Sequence, residues 1–85
     1  MEWEKLMDGL WRAKGVRDRI KYRIKLEEHD IIDRGKLWWF TINLEVMTSD
    51  EQTIIEGNFE PKRYGTFEEM KIMSETFIES IGSSI

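Results

Sequence analysis

The chain contains no cysteine and only one histidine, His29. Without cysteine, disulfides and thiolate metal sites are excluded. A single histidine excludes a cluster of histidine ligands, and it leaves no candidate pair of a nucleophile and a base. A phosphate-binding loop is not complete either, because Gly35-Lys36 lacks both the earlier glycine and the following serine or threonine. The sequence therefore predicts a protein that is not an enzyme and holds no metal or cofactor.

Long apolar runs are also missing, and this bears on where the protein is expected in the cell. The longest run, residues 37–40, is far shorter than the roughly 20 residues that a membrane-spanning helix needs. The first residues mix acidic and apolar side chains, unlike a signal peptide. The absence of cysteine is typical of a reducing compartment. These features predict a cytoplasmic protein with no membrane partner.

The charges are unevenly distributed along the chain. The net charge is −4, which argues against a dedicated nucleic-acid-binding protein. Segment 12–25 is nevertheless strongly basic, with Asp18 as its only acid, whereas segment 45–85 is mainly acidic. One part of the surface is therefore expected to be positive although the chain as a whole is negative.

Two amphipathic helices are predicted, one near each end of the sequence. Apolar side chains at helical spacing predict a helix over residues 2–13, which Gly15 would end. A capping box formed by Thr66 and Glu69 precedes a second apolar stripe. This pattern predicts a helix over residues 66–81.

Three strands are predicted between these helices. The clearest alternation, of apolar with basic side chains, predicts a strand over residues 17–28. A second alternating run predicts a strand over residues 36–48, and a weaker one predicts a strand over residues 52–60. Gly35 can supply the positive φ that the turn between the first two strands needs.

The predicted fold class is α+β with the element order α-β-β-β-α, in a single domain that covers residues 1–85. Short connections between the strands favour a three-stranded antiparallel meander. Two helices with one apolar stripe each are expected to be packed on one face of that sheet. The other face is left to solvent or to a partner.

The uncovered sheet face carries the candidate binding residues. Cationic side chains alternate along the first predicted strand and should therefore project from one side of it. The next strand is expected to present an exposed indole with apolar and polar neighbours on the same side. The candidate partner-binding residues are Arg17, Arg19, Lys21, Arg23, Lys25, Leu37, Trp39, Thr41 and Asn43.

Three interpretations of this face follow from its composition. Edge strands carry lysine and arginine as protection against aggregation, so a solvated edge explains the cations without any ligand. A contiguous apolar set beside the cations is typical of a protein-contact surface, where tryptophan and arginine are enriched. A cationic track beside an indole also suits single-stranded nucleic acid, because the ring can stack on a base.

The leading hypothesis is a non-catalytic protein-binding module that acts through the open sheet face, with Trp39 as anchor. A small regulator, an inhibitor or immunity-type protein, and an accessory subunit all fit this description. The partner would be another protein, or a second copy of the chain in a homodimer. The alternative is a single-stranded RNA- or DNA-binding protein that uses the basic segment 17–25 together with Trp39.

Overall fold

Five strands and one C-terminal helix form the fold in the computed structural model, which describes residues 1–48, 50 and 53–82. The strands follow one another in a single antiparallel sheet with the spatial order β1-β2-β3-β4-β5. The elements are β1 (Trp3–Met7), β2 (Leu10–Arg17), β3 (Ile20–Ile31), β4 (Gly35–Met47), β5 (Thr53–Phe59) and α1 (Phe67–Gly82). The predicted order α-β-β-β-α with a three-stranded meander and two helices is therefore wrong.

The largest correction concerns the helix predicted over residues 2–13, where the chain forms the hairpin of β1 and β2 instead. Asp8-Gly9 makes the turn between the paired residues Met7 and Leu10, and Gly9 has a φ of 80°. An Asp-Gly pair between apolar residues is a strong hairpin signal, because glycine accepts the left-handed conformation. This turn outweighs the helical spacing of the apolar side chains around it.

A second unexpected turn divides the segment predicted as one strand over residues 17–28. Asp18 has a φ of 55°, and Arg17 pairs directly with Ile20 across the turn. Aspartate tolerates this left-handed conformation better than most residues. Residues 17 and 19 therefore belong to the end of β2 and to the turn, and Gly15 lies within β2 instead of ending a helix.

The remaining strands lie close to their predicted positions. β3 and β4 are the longest, and their turn contains Asp33 with a φ of 67° and Gly35 with a φ of 80°. The predicted positive φ at Gly35 is confirmed. β5 pairs with β4 as expected, although the predicted start at residue 52 lies outside the described residues.

The core lies between α1 and the side of the sheet formed by alternate residues of β2, β3 and β4. The buried side chains of β3 and β4 all lie at alternate positions, since a strand turns alternate residues to one face. The buried apolar residues are Ala13, Ile20, Ile24, Leu26, Phe40, Ile42, Leu44, Met70 and Ile78. The central strands therefore supply most of the core, and α1 covers it.

Aromatic side chains pack α1 against the sheet. The ring of Phe67 lies 5.5 Å from that of Trp11 and 4.9 Å from that of Trp38, measured between centroids. The indole N–H of Trp3 donates a hydrogen bond of 3.1 Å to Glu75. These contacts tie β1, β2 and β4 to one helix, which is not long and apolar enough to cross a membrane.

The predicted cap at the start of α1 is present. The backbone N–H of Glu69 donates to the hydroxyl of Thr66 at 3.1 Å, and that hydroxyl donates to the Glu69 carboxylate at 3.2 Å. Arg63 donates a further hydrogen bond of 3.0 Å to the same carboxylate. The hydrogen bond from Arg63, followed by those from Thr66, lowers the pKa of the Glu69 carboxyl below its usual 4.5.

Replacing Glu69 with glutamine is expected to make the thermal stability of the protein fall less steeply as the pH is lowered. A carboxyl whose pKa is lower in the folded state adds stability above its unfolded pKa and loses it as the pH falls through the folded pKa. Wild type should therefore lose more thermal stability than Glu69→Gln between about pH 6 and about pH 3. Glu68→Gln, one residue away and exposed, is the control, and parallel profiles for wild type and Glu69→Gln would argue against the cap.

Candidate interaction face

The side of the sheet opposite α1, which we term the open face, is not covered by any described helix or strand. Its residues form rows across the sheet, because directly paired residues of neighbouring strands point to the same side. Three such rows run Glu4–Arg12–Lys25–Thr41, Lys14–Arg23–Asn43–Asn58 and Val16–Lys21–Glu45–Glu56. The open face thus carries cations along β2 and β3, and acidic, amide or hydroxyl side chains along β4 and β5.

Basic side chains of β2 and β3 form a compact block on this face, which we term the basic grid. Its members are Arg12 and Lys14 on β2 and Lys21, Arg23 and Lys25 on β3. Arg23 lies at the centre, with Lys14 directly opposite and Lys21 and Lys25 two residues away on its own strand. Along β3 the grid extends about 13 Å, at ~3.4 Å per residue.

Two pairs in the basic grid place like charges directly opposite each other. Arg12 is paired with Lys25, and Lys14 is paired with Arg23. Directly opposed like charges destabilise an antiparallel sheet. Protection of an edge does not require such pairs, because β3 lies in the middle of the sheet. The grid therefore carries a cost in stability that an anionic ligand would relieve.

Acidic side chains compensate two members of the grid. Arg12 donates to Glu4 at 2.8 Å, and this hydrogen bond lowers the pKa of the Glu4 carboxyl. Lys25 lies 3.2 Å from the carboxylate of Glu27, measured from Nζ to Oε1. The cations at the other end of the grid have no such ion pair within the described part of the chain.

A group of aromatic rings lies beyond the basic grid on the same face. The rings of Trp39 and Tyr64 are 4.7 Å apart, and those of His29 and Tyr64 are 5.7 Å apart. Tyr64 reaches this position because Gly65 forms a bridge with Trp38, with a hydrogen bond from the N–H of Gly65 to the Trp38 carbonyl at 3.1 Å. Trp39 is therefore half-buried by its own chain and held in one place.

The structure places most of the predicted binding residues together on the open face. Lys21, Arg23 and Lys25 face Glu45, Asn43 and Thr41 across the β3–β4 pair, and Trp39 and Leu37 follow further along β4. Two predicted members lie elsewhere. Arg17 pairs with buried Ile20 and so belongs to the opposite side of the sheet, and Arg19 lies in the turn after β2.

Three contributors to the open face were missed from the sequence. Arg12 lies in the segment predicted as the first helix and Lys14 directly follows it, and Tyr64 lies between the last predicted strand and the last predicted helix. The Asp8-Gly9 pair was the signal that could have revealed β2. No local signal places Tyr64, since its position depends on the bridge that Gly65 makes to β4.

Relief of the central charge repulsion is expected to stabilise the protein. Arg23→Thr removes the cation surrounded by Lys14, Lys21 and Lys25, and we expect a gain of about 0.2–1 kcal/mol in the free energy of unfolding at low salt. The gain should shrink in molar salt, which screens exposed charges. Urea unfolding at two salt concentrations measures it.

The same substitution at Lys21 is the matched control for Arg23→Thr. Lys21 faces Glu45 on one side and Val16 on the other, so its removal loses an attraction and relieves little repulsion. Lys21→Thr should therefore be neutral or mildly destabilising. Equal effects of the two substitutions would show that the grid carries no repulsive cost.

The described residues hold no group of three or more histidine, cysteine or acidic side chains that could bind a metal ion. Comparison of the chain with protein-family models, with curated proteins and with solved structures found no match. The functional argument therefore depends on the residues of the open face.

Proposed function

We propose that the protein is a non-catalytic binding module whose open face binds an acidic segment of a partner protein. A small regulator, an inhibitor or an accessory subunit has this character. The observation that supports the proposal most is the position of Arg23, which has cations opposite it and on both sides along β3. An acidic segment would neutralise these cations and remove their mutual repulsion. A cytoplasmic location is part of the same proposal, since the chain lacks cysteine.

The borders of the basic grid favour a short acidic peptide over a nucleic acid. Glu27 follows Lys25 along β3, and Glu45 and Glu56 follow Lys21 across the sheet. A long polyanion that followed the grid would soon pass these carboxylates and be repelled by them. A peptide of about four or five extended residues matches the ~13 Å length of the grid.

A homodimer formed by two open faces is less favourable on the same grounds. A twofold axis through an interface brings the same patch of both copies together. An axis near Arg23 would therefore place the basic grid of one copy against that of the other. A partner with a different, acidic surface avoids this repulsion.

Trp39 is proposed as the apolar anchor beside the charged contact. Its ring is already held by Tyr64, so little side-chain freedom is lost on binding. Tryptophan and arginine are the side chains most enriched among residues that dominate interface affinity. Together, the aromatic group around Trp39 and the basic grid favour a partner segment that carries an apolar residue close to its acidic residues.

Charge reversal within the basic grid is expected to abolish binding of an acidic peptide. The measurement is fluorescence anisotropy of a labelled peptide of about eight residues, rich in glutamate with one leucine, titrated at two salt concentrations. Lys14→Glu/Arg23→Glu should weaken binding by more than about tenfold. A labelled oligothymidine of similar length is titrated in parallel.

Lys36→Glu/Lys62→Glu is the control, because it changes the net charge equally at exposed positions outside the grid. This variant should bind the peptide nearly as well as wild type does. Tighter binding of the oligothymidine than of the peptide would favour the nucleic-acid alternative. Equal losses in both double variants would mean that only net charge matters, and would contradict the proposal.

A further inference from the structure

A concavity of about 530 Å³ opens where β2 and β3 approach their shared turn. It lies at the end of the basic grid that is farthest from the aromatic group. Its lining residues are Lys14, Gly15, Val16, Lys21, Tyr22 and Arg23. The volume is within the range of small-molecule sites, so it can hold one charged side chain with its neighbouring peptide atoms.

The cations of this concavity are the members of the grid that form no close ion pair with a described residue. Lys14, Lys21 and Arg23 have no carboxylate within 4.0 Å among the described residues, whereas Arg12 and Lys25 are paired with acids. Lys14 and Arg23 are directly opposed, and Lys21 is adjacent to both. The positive charge available to a ligand is therefore concentrated here.

The outer edge of β2 is also open at this point. β1 pairs with β2 only as far as Trp3 opposite Ala13. Residues 14–17 pair with β3 on one side and with no described strand on the other. Unpaired backbone N–H groups of a strand edge are available as donors to a peptide or anion that binds alongside β2.

We propose that the concavity lined by Lys14, Lys21 and Arg23 binds a phosphomonoester carried by the partner's acidic segment. This inference rests on the proposed function and names the group that the segment presents. A phosphoserine or phosphothreonine carries nearly two negative charges and three acceptor oxygens at neutral pH. A single carboxylate would leave much of the charge of three cations uncompensated. Arginine binds phosphate through two parallel hydrogen bonds, and lysine binds it as a point charge.

The test compares three labelled peptides that differ at one central residue. The residue is serine, glutamate or phosphoserine, and the rest of the sequence contains the same glutamates and leucine. Anisotropy titration of wild type should give an affinity for the phosphoserine peptide about tenfold or more above that for the glutamate peptide. The serine peptide should bind most weakly.

Variants of the protein then show which side chains cause the preference for phosphoserine over glutamate. Lys14→Gln, Lys21→Gln and Arg23→Gln should each reduce the ratio of phosphoserine to glutamate affinity several-fold, because each removes one cation that would bind the phosphate. Lys25→Gln is the control, since Lys25 lies outside the concavity and is paired with Glu27. It should weaken all three peptides by a similar factor and leave the ratio unchanged.

The outcomes separate the two proposals. Equal affinity for the phosphoserine and glutamate peptides would overturn this inference and leave the acidic-segment function standing. A preference for phosphoserine that survives in Lys14→Gln, Lys21→Gln and Arg23→Gln would place the phosphate elsewhere and overturn it as well. Absence of binding to all three peptides, or preference for the oligothymidine over them, would contradict both proposals.

Discussion

Replacing Leu26 with alanine is expected to lower the free energy of unfolding by about 2–5 kcal/mol. Leu26 is 0% exposed and lies between Trp11 on β2 and Phe40 on β4, on the side of the sheet that α1 covers. The substitution removes buried apolar surface and leaves a cavity that long, hydrogen-bonded strands cannot easily close. Because small domains have only about 5–15 kcal/mol of stability, much of it would be lost.

Urea unfolding followed by tryptophan fluorescence measures this effect. Lys25→Ala is the control, because Lys25 is the next residue on β3 and its side chain is exposed on the open face. It should change the free energy of unfolding by no more than about 0.5 kcal/mol. Similar losses of stability in the two variants would show that Leu26 and Lys25 do not face a covered side and an open side of the sheet.

Replacing Ala13 with aspartate is expected to have the second large effect, about 3 kcal/mol or more. Ala13 is 2% exposed and is paired with Trp3 and Ile24, so a carboxylate at this position would point among apolar neighbours. A buried, unpaired carboxylate must lose its hydration or take up a proton, and both are costly. We expect Ala13→Asp to be largely unfolded at 37 °C.

Lys14→Asp is the matched control for Ala13→Asp. In β2 the side chain of residue 14 is exposed on the open face, so this variant should fold with nearly unchanged stability. A helix over residues 2–13 would place residue 13 in its last turn, off the apolar stripe, and aspartate there would cost little. Equal stability of the two variants would therefore favour the helix over the β1–β2 hairpin.

The central and C-terminal parts of the fold could be predicted from the sequence because their patterns are unambiguous. Apolar side chains alternate with charged or polar ones over residues 20–26 of β3 and 40–46 of β4, so no helical spacing competes there. The capping box of Thr66 and Glu69 fixes where α1 begins. In both cases the local preference and the tertiary structure agree.

The N-terminal part could not be predicted from periodicity alone. Its apolar residues lie three and four apart, which fits a helix, but the same residues are divided by the turn at Asp8-Gly9. Apolar side chains of a two-stranded hairpin near an edge lie on both faces, as the exposed Leu6 and Met7 do. The alternation of apolar and polar residues that is typical of a strand is then obscured. The turn residues are the feature that distinguishes a hairpin from a helix here.

The candidate site was partly predictable for the same reason. Alternation in β3 and β4 correctly brings Lys21, Arg23 and Lys25 beside Asn43 and Thr41. The second row of cations, on β2, could not be recognised while that segment was taken for a helix. The opposed like charges that now support the proposed function arise only from the pairing of β2 with β3.

The most direct test of the central claim is to map the binding site residue by residue. Two-dimensional ¹H–¹⁵N NMR spectra of the labelled protein are recorded during titration with the glutamate-rich peptide. The account predicts that amide shifts cluster on β2 and β3 around Lys14 and Arg23 and extend to Trp39, while α1 remains unaffected. Shifts confined to α1, or an unchanged spectrum at millimolar peptide, would contradict the assignment of the open face as the binding surface.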